Sequence, residues 1–329
     1  MTVLKIGIVG AGGIAHPHLA AWRALGASVV VYSLDGKAPE LVGALGWGTV
    51  VGSLGELFDR SDIIDVCTPT FTHREIVEAA AAANKDVICE KPFALTTSDA
   101  LAMRDACDRA GSQLYPAHVV RFYPEYACAR EAVVGGLLGR PAVARFSRLG
   151  ARPAASWFTD PLLSGGIAMD QMIHDIDYAR WTLGEVHSVF ATATSGAEGD
   201  PQNVHSVQAV LTHSTGTVTS AVGTWGSPTT TFQTTFEIAG SEGLIGFDSL
   251  QSSPFVTNGA SIAGNDGYLP SLAAREDPIL TELREISEAI AGRATSRISA
   301  EDGIRAVEIA EAINTSIASS QAVRIGGER

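Results

Sequence analysis

Leu4-Lys5-Ile6-Gly7-Ile8-Val9-Gly10-Ala11-Gly12-Gly13-Ile14-Ala15 is a short apolar run, a glycine turn and the first residues of a helical pattern, in that order. The run reads as a strand and residues 14–25 as the helix after it. Gly10 to Ala15 fits G-x-G-x-x-G/A. In that pattern the first glycine permits a tight turn, the second lets a pyrophosphate approach the backbone, and the last small residue keeps helix and sheet close. The free N–H groups and positive dipole of the helix N-terminus add an anion site. Gly10, Gly12, Gly13, Ile14 and Ala15 are therefore the candidate cradle of a dinucleotide; the alternative is a glycine-rich turn that binds nothing. His16 and His18 are two apart, share no helix face, and read as structural or surface histidines rather than a metal pair.

Outward from this turn, strand-like runs at residues 28–32, 63–66, 86–89 and 113–120 alternate with helical patterns at 72–83 and 98–110. Such alternation predicts βαβ units, a parallel sheet and a doubly wound Rossmann fold with ligands at the carboxyl ends of the strands. After Arg121 the pattern changes. A helix at 125–134 and a strand at 142–149 lead through a Gly/Pro/Trp loop to a second helix. Thr/Val-rich runs then follow at 188–194, 205–212, 217–224, 231–239 and 243–247, with turn residues between them. They predict a largely antiparallel sheet in a C-terminal α+β domain. Helices at 278–291 and 300–316 close the chain, and 252–267 reads as a loop. The expected division is 1–121 and 122–329, with the helix at 300–316 packing back on the first domain.

Of 329 residues, 46% are hydrophobic and 18% charged, a globular balance with room for two cores. A formal net charge of −13 disfavours nucleic acid and anionic membrane surfaces, which need basic patches. No apolar run is long enough to span a bilayer, and the N-terminus lacks a signal-peptide pattern, so the expected location is the cytoplasm. Cys67, Cys89, Cys107 and Cys128 have no metal-type spacing and read as buried free thiols.

Glu90-Lys91-Pro92 follows the fourth strand, and Gly165-Gly166-Ile167-Ala168-Met169-Asp170-Gln171-Met172-Ile173-His174-Asp175-Ile176-Asp177 comes later. Together with the glycine turn, these motifs resemble the Gfo/Idh/MocA family, named for glucose-fructose oxidoreductase, inositol dehydrogenase and a rhizopine-catabolism protein. The resemblance runs over nearly the whole chain as G-x-G-x-x-[GA], E-K-P and G-G-x-x-x-D-x-x-x-H-x-x-D. It implies that Lys91 reaches both nicotinamide ribose and substrate, that Glu90 helps hold the cofactor, and that the bond before Pro92 is cis. Asp170 and His174 match the acid and histidine of the third motif. Thr68-Pro69-Thr70-Phe71-Thr72-His73 resembles the T-P-x-x-x-H turn that lines the cofactor groove, which assigns Thr68, Pro69 and His73 there. His118 and Arg121-Phe122-Tyr123-Pro124 resemble the R-F-x-P segment at the family's domain junction. Two departures stand out. Met172 occupies a place where many relatives have glycine, although inositol-dehydrogenase-like members also carry methionine. The second strand ends in Ser33 where an acid is expected.

Without the family, Asp170, His174 and Asp177 are spaced i, i+4, i+7 and form one polar stripe if Asp170 begins the helix. Such a stripe is either solvated or aimed into a cleft; a metal site on it lacks a second histidine. Oxidising a secondary alcohol needs a base for the hydroxyl proton, and imidazole titrates in the right range. His174 is therefore read as the base, Lys91 as the group that stabilises charge on the oxygen, and Asp170 as an orienting acid; Lys91 and His174 can exchange roles. A sugar, sugar derivative or cyclitol is the substrate class that the resemblance implies. Arg152 and Trp157 lie on a loop placed to cover such a substrate. Trp157 either stacks on a pyranose or cyclitol face or caps a domain interface. A non-catalytic dinucleotide-binding regulator and a reductase of a non-sugar carbonyl or imine are the competing functions; the intact set Lys91, Asp170 and His174 favours an enzyme.

Ser33 can donate to a phosphate oxygen and Lys37 is near it along the loop, which leans the cofactor reading to NADP over NAD. Asp35, two residues beyond the usual acidic position, can instead take a ribose hydroxyl, so dual use is open. The C-terminal sheet has one face without a nearby helix, which predicts a homodimer or homotetramer built on it.

Overall fold

The structure, a computed structural model, describes residues 3–194, 204–251, 255–259 and 276–326. Two compact units emerge, Met1–Phe122 with Glu276–Arg305, and Tyr123–Arg275 with Ala306–Arg329. Among the described residues the strands form a six-stranded and an eight-stranded sheet.

In the first unit the order along the chain is β1 (Lys5–Val9), α1 (Ala15–Ala24), β2 (Ser28–Tyr32), α2 (Ala38–Leu45), β3 (Thr49–Val50), α3 (Leu54–Arg60), β4 (Ile63–Val66), α4 (His73–Ala82), β5 (Asp86–Glu90), α5 (Thr97–Ala110) and β6 (Leu114–Ala117). The sheet order is β3-β2-β1-β4-β5-β6, and every recorded pairing is parallel. This is the doubly wound order of dinucleotide-binding folds, as the alternation predicts. Strands covered on both faces must be apolar throughout, and Ile63–Val66 is buried at every position, Asp65 included. The segment α2–β3–α3 went unread in the sequence. Its helices are eight and seven residues long, too short for a clear apolar period. The start of α3 does have a local signal: Ser53 Oγ accepts the Glu56 N–H at 3.1 Å, while Glu56 Oε2 accepts the Gly52 N–H at 3.0 Å.

The second unit runs α6 (Pro124–Val134), β7 (Pro141–Ala151), α7 (Pro161–Ser164), α8 (Gly166–Asp170), α9 (Ile173–Leu183), β8 (Val186–Thr194), β9 (His205–His213), β10 (Val218–Gly226), β11 (Gln233–Gly240), β12 (Gly243–Asp248) and β13 (Phe255–Gly259). α10 (Pro278–Ile290) belongs to the first unit, α11 (Ala300–Ser319) begins in the first and ends in the second, and β14 (Val323–Arg324) completes the second. The sheet order is β13-β12-β11-β7-β10-β9-β8-β14, antiparallel except for the β7–β10 pair. β13 corrects the loop expected at 252–267: Phe255 pairs with Phe247 as an edge strand, and one short edge strand leaves little alternation to read. The remainder of that expected loop, 252–254 and 260–267, lies outside the described residues.

α10 completes the first core. Leu283 and Ile286 are fully buried with Ile6, Ile8, Leu19 and Trp22. Among the described residues no helix is long and apolar enough to cross a membrane.

Candidate active site

At the glycine turn, Gly10 has φ +110°, and a Cβ there would stand 2.6 Å from the Cys67 carbonyl oxygen. Its N–H donates to Tyr32 O at 2.8 Å. The turn is thus pressed against the carboxyl ends of β2 and β4, where only glycine fits. Gly12 and Gly13 differ: a Cβ on either would meet nothing within 4 Å, so their bareness serves open space rather than internal packing. Ile14 is exposed in front of α1, and Ala15 is buried behind it. The helix N-terminus has no side-chain cap and no acid in its first turn, which leaves N–H donors and a positive dipole for an anion. The turn therefore fits a dinucleotide diphosphate.

At the end of β2, Ser33 is buried, and its Oγ accepts the Ala38 N–H at 2.9 Å, starting α2. Lys37 does not stand alone: its Nζ lies 3.0 Å from Asp35 Oδ2, with both side chains more than half exposed. Hydrogen bonding to Lys37 holds the Asp35 carboxyl below its ordinary value. The cation expected to meet a phosphate is thus shared with an acid, a pairing that the sequence reading missed.

Thr68 and Pro69 leave β4 half-buried, and His73 opens α4 fully inside the protein. The His73 ring faces Thr68 O at 2.9 Å through Nε2 and Phe93 O at 3.3 Å through Nδ1. Burial pushes its pKa down despite those carbonyls. His73 therefore ties the turn after β4 to the turn after β5. Lys91 is half-buried, Lys91–Pro92 is cis as expected, and the Lys91 N–H donates to Glu90 Oε2 at 2.9 Å.

Behind this edge lies a cluster absent from the sequence reading. His16 is exposed, whereas His18 is completely buried between two carboxylates. Its Nδ1 lies 2.9 Å from Asp65 Oδ2, and its Nε2 lies 3.0 Å from Glu90 Oε1. Trp22 Nε1 donates to Asp65 Oδ2 at 2.6 Å, and Cys67 Sγ donates to Oδ1 at 3.6 Å. Burial raises the Cys67 thiol to about 12, so it stays protonated. Donor atoms of His18, Asp65 and Cys67 lie within 4.8 Å of one another, but they are already engaged in hydrogen bonds among themselves.

In the second unit the expected single stripe is broken. Asp170 ends α8 rather than beginning a helix, and His174 stands in the first turn of α9. The chain stays right-handed through Gln171 and Met172 but widens there: both their N–H groups donate to Ile167 O at 2.9 Å. Asp170 and Asp177 are buried and His174 half-buried. The helix also carries a pair that the spacing did not reveal: Asp175 accepts Arg148 Nη2 at 2.8 Å and Nε at 3.1 Å, with both residues buried. Met172 fills the space above Gly223 on β10, where a Cβ would come within 2.5 Å of its Cγ. Trp157 stacks on Phe158 with centroids 3.7 Å apart, and Arg152, half-buried, donates its N–H to Gly226 O. His118 and Arg121 are buried in the first unit, where Arg121 pairs with Asp302 at 3.1 Å.

The structure thus brings together Gly10 to Ala15, Thr68, Pro69, His73, Glu90 and Lys91 at one edge of the parallel sheet. Ser33, Asp35 and Lys37 follow the neighbouring strand. The described Asp170, His174, Arg152 and Trp157 belong to the other unit.

Residues 4–118 match the description "Oxidoreductase family, NAD-binding Rossmann fold", and residues 126–246 match "GFO/IDH/MocA C-terminal domain". The chain is 28% identical to myo-inositol 2-dehydrogenase of Thermotoga maritima over 98% of both chains. It is 31% identical to 1,5-anhydro-D-fructose reductase of Ensifer adhaerens, covering 97% of this chain and 98% of that one. A solved structure of levoglucosan dehydrogenase with NADH and L-sorbose superposes with a TM-score of 0.83 and 25% identity, covering all of both chains.

Proposed function

The chain belongs to the Gfo/Idh/MocA family of oxidoreductases, and on that footing we propose that it transfers a hydride between a nicotinamide dinucleotide and a secondary hydroxyl of a sugar, sugar derivative or cyclitol, or the corresponding carbonyl. The observation that carries this reading is the open, uncapped glycine turn at the same sheet edge as Lys91, whose main chain is anchored by Glu90. The two curated relatives and the superposing structure act on, or hold, cyclitols and sugars. This supports the substrate class.

Nicotinamide, when bound, supplies the hydride-accepting carbon. Gly10, Gly12, Gly13, Ile14 and Ala15 hold the diphosphate, with Thr68, Pro69, His73 and Glu90 shaping the edge beside it. Lys91 donates a hydrogen bond to the reacting oxygen and stabilises negative charge on it as the hydroxyl proton leaves. His174 takes that proton, a task that the Lys91 amine can exchange with it. Asp170 orients the substrate and the base, and His118, Arg152 and Trp157 contribute to substrate recognition.

Both NAD and NADP are accepted in this reading. The acid for a ribose hydroxyl is supplied by Asp35, two residues beyond the usual place, and the cation for a 2′-phosphate by Lys37. The exposed face of the second sheet joins copies into a homodimer or homotetramer.

The test is a panel of sugars, inositols and sugar acids with NAD and with NADP, read by nicotinamide absorbance. Wild type turns over at least one polyol. Lys91→Ala and His174→Ala each lose about two to four orders of magnitude in kcat, while NADH still binds. A protein that binds NADH but oxidises or reduces nothing in the panel, or variants that keep wild-type rates, would overturn the assignment.

A further inference from the structure

We propose that His18 is a positioning residue for Lys91: as an imidazolium donating to Asp65 and Glu90 at once, it fixes the Glu90 carboxylate in the orientation that accepts the Lys91 backbone N–H. This rests on the reading of Lys91 as the group that meets the substrate oxygen.

The proton count follows from geometry. A neutral imidazole has one N–H and one lone pair, so it can satisfy only one of two facing carboxylates. His18 has a carboxylate oxygen within 3.0 Å of each ring nitrogen. Asp65 accepts from Trp22 Nε1 and Cys67 Sγ as well, so every group around it is a donor and it has no need of a proton of its own. Glu90 has the Lys91 N–H on Oε2 and the His18 ring on Oε1. The proton between Nε2 and Oε1 sits on the imidazole, the stronger base of the two, so both ring protons reside on His18. The titratable groups facing it are Asp65 and Cys67 from β4 and its end, and Glu90 from β5; His73 in turn influences Glu90 across the same edge. Burial is the largest single influence and opposes the imidazolium, but its neighbours, Asp65 foremost and Cys67 after it, together hold His18 well above its ordinary value.

The consequence reaches Lys91 through one carboxylate. With Oε1 held by His18 and Oε2 by the Lys91 N–H, Glu90 is clamped at both oxygens. Release of either proton from His18 leaves one buried carboxylate facing a lone pair, which favours rotation away. The Lys91 N–H then loses the Glu90 Oε2 acceptor.

Two substitutions separate positioning from bulk stability. The amide nitrogen of glutamine stands close to where Nε2 was and that of asparagine close to Nδ1. His18→Gln thus keeps the donor to Glu90 and His18→Asn keeps the donor to Asp65. The ¹⁵N shifts of the His18 ring in the intact wild-type protein should show both nitrogens protonated at neutral pH. The Lys91 amide proton should keep its shift and slow exchange in His18→Gln and lose them in His18→Asn, at similar loss of denaturant stability. On a polyol that the wild type oxidises, His18→Asn should lower kcat about tenfold, the worth of one charge-assisted hydrogen bond, with KM for the nucleotide nearly unchanged. A neutral His18 ring at pH 7, or a Lys91 amide that responds alike to both substitutions, would overturn the proposal. The spectroscopic readouts need no turnover, so a chain lacking polyol activity would still decide it, and a failure here leaves the dehydrogenase reading standing.

Discussion

Arg148 grips Asp175 through two nitrogens, Nη2 at 2.8 Å and Nε at 3.1 Å, with both side chains almost fully enclosed. The bond joins β7 to the first turn of α9, next to His174. Burial is the largest single influence on Arg148 and opposes its charge, yet its neighbours, Asp175 foremost, together raise its pKa. Removing one partner strands the other as an uncompensated buried charge. Arg148→Ala and Asp175→Ala should each cost about 3–5 kcal/mol in urea unfolding, whereas the double replacement Arg148→Met, Asp175→Leu should cost far less than their sum. Simple additivity of the two alanine costs in the double variant would count against this pair as a coupled unit.

Stability should respond to pH with opposite signs at two buried histidines. The folded His18 value is raised, so its contribution is full below the unfolded value of about 6.5 and disappears as pH rises through the folded value. The folded His73 value is lowered, so its contribution is full above about 6.5 and is lost as pH falls through the folded value. Urea midpoints measured across this range should show His18→Gln flattening the alkaline side and His73→Gln flattening the acid side. Slopes assigned the other way round would refute a charged His18 and a neutral His73.

Nucleotide choice should turn on Asp35 and Lys37. Asp35→Ala frees the lysine and removes an anion that repels a 2′-phosphate, so kcat/KM for NADP relative to NAD should rise about tenfold or more. Lys37→Ala should move the ratio the other way. Ratios unchanged in both variants would place cofactor selection elsewhere.

Met172 and Gly223 should behave as a matched pair. A methyl on Gly223 would meet Met172 Cγ at 2.5 Å and Ile167 Cγ2 at 2.7 Å. Gly223→Ala should therefore cost about 1–3 kcal/mol by overpacking, and adding Met172→Ala should recover much of it. Thermal unfolding of the three variants measures the coupling.

Phe190 and Val210 face each other across β8 and β9, 48% and 42% exposed in the isolated chain. In the same transverse row, Ser220 and Arg145 carry the face onward to Glu237, which pairs with Arg145. If copies assemble through this face, Phe190→Asp with Val210→Lys should give a folded monomer in sedimentation, while wild type sediments as a dimer or tetramer at micromolar concentration. A monomeric wild type would remove the interface.

Legibility in the sequence followed how local each signal is. The strand, glycine turn and helix at residues 4–25 lie within one stretch, so both their type and their ligand chemistry were readable. His18 was not, because Asp65 and Glu90 are 47 and 72 residues away. A hint existed all the same: Ala15, His18, Leu19 and Trp22 form the buried stripe of α1, and Asp65 interrupts an otherwise apolar strand. A charge-capable residue on each of two faces that must meet is a pairing signal. The break between Asp170 and His174 had no such mark, since neither Gln171 nor Met172 is a helix breaker. Met172, inside the break, packs on Gly223 of β10, a tertiary contact that spacing alone does not record.

The return of α10 has a temporal meaning. Leu283 and Ile286 belong to the same core as Ile6 and Trp22, so strands and a helix made early await a helix made more than two hundred residues later. At roughly 5–20 residues per second of synthesis, the nascent Rossmann unit spends on the order of ten seconds or more with that apolar surface bare. Fragments ending near Phe122 inherit the same gap permanently. For the growing polypeptide, the dinucleotide-binding half is finished only after the other half has been translated.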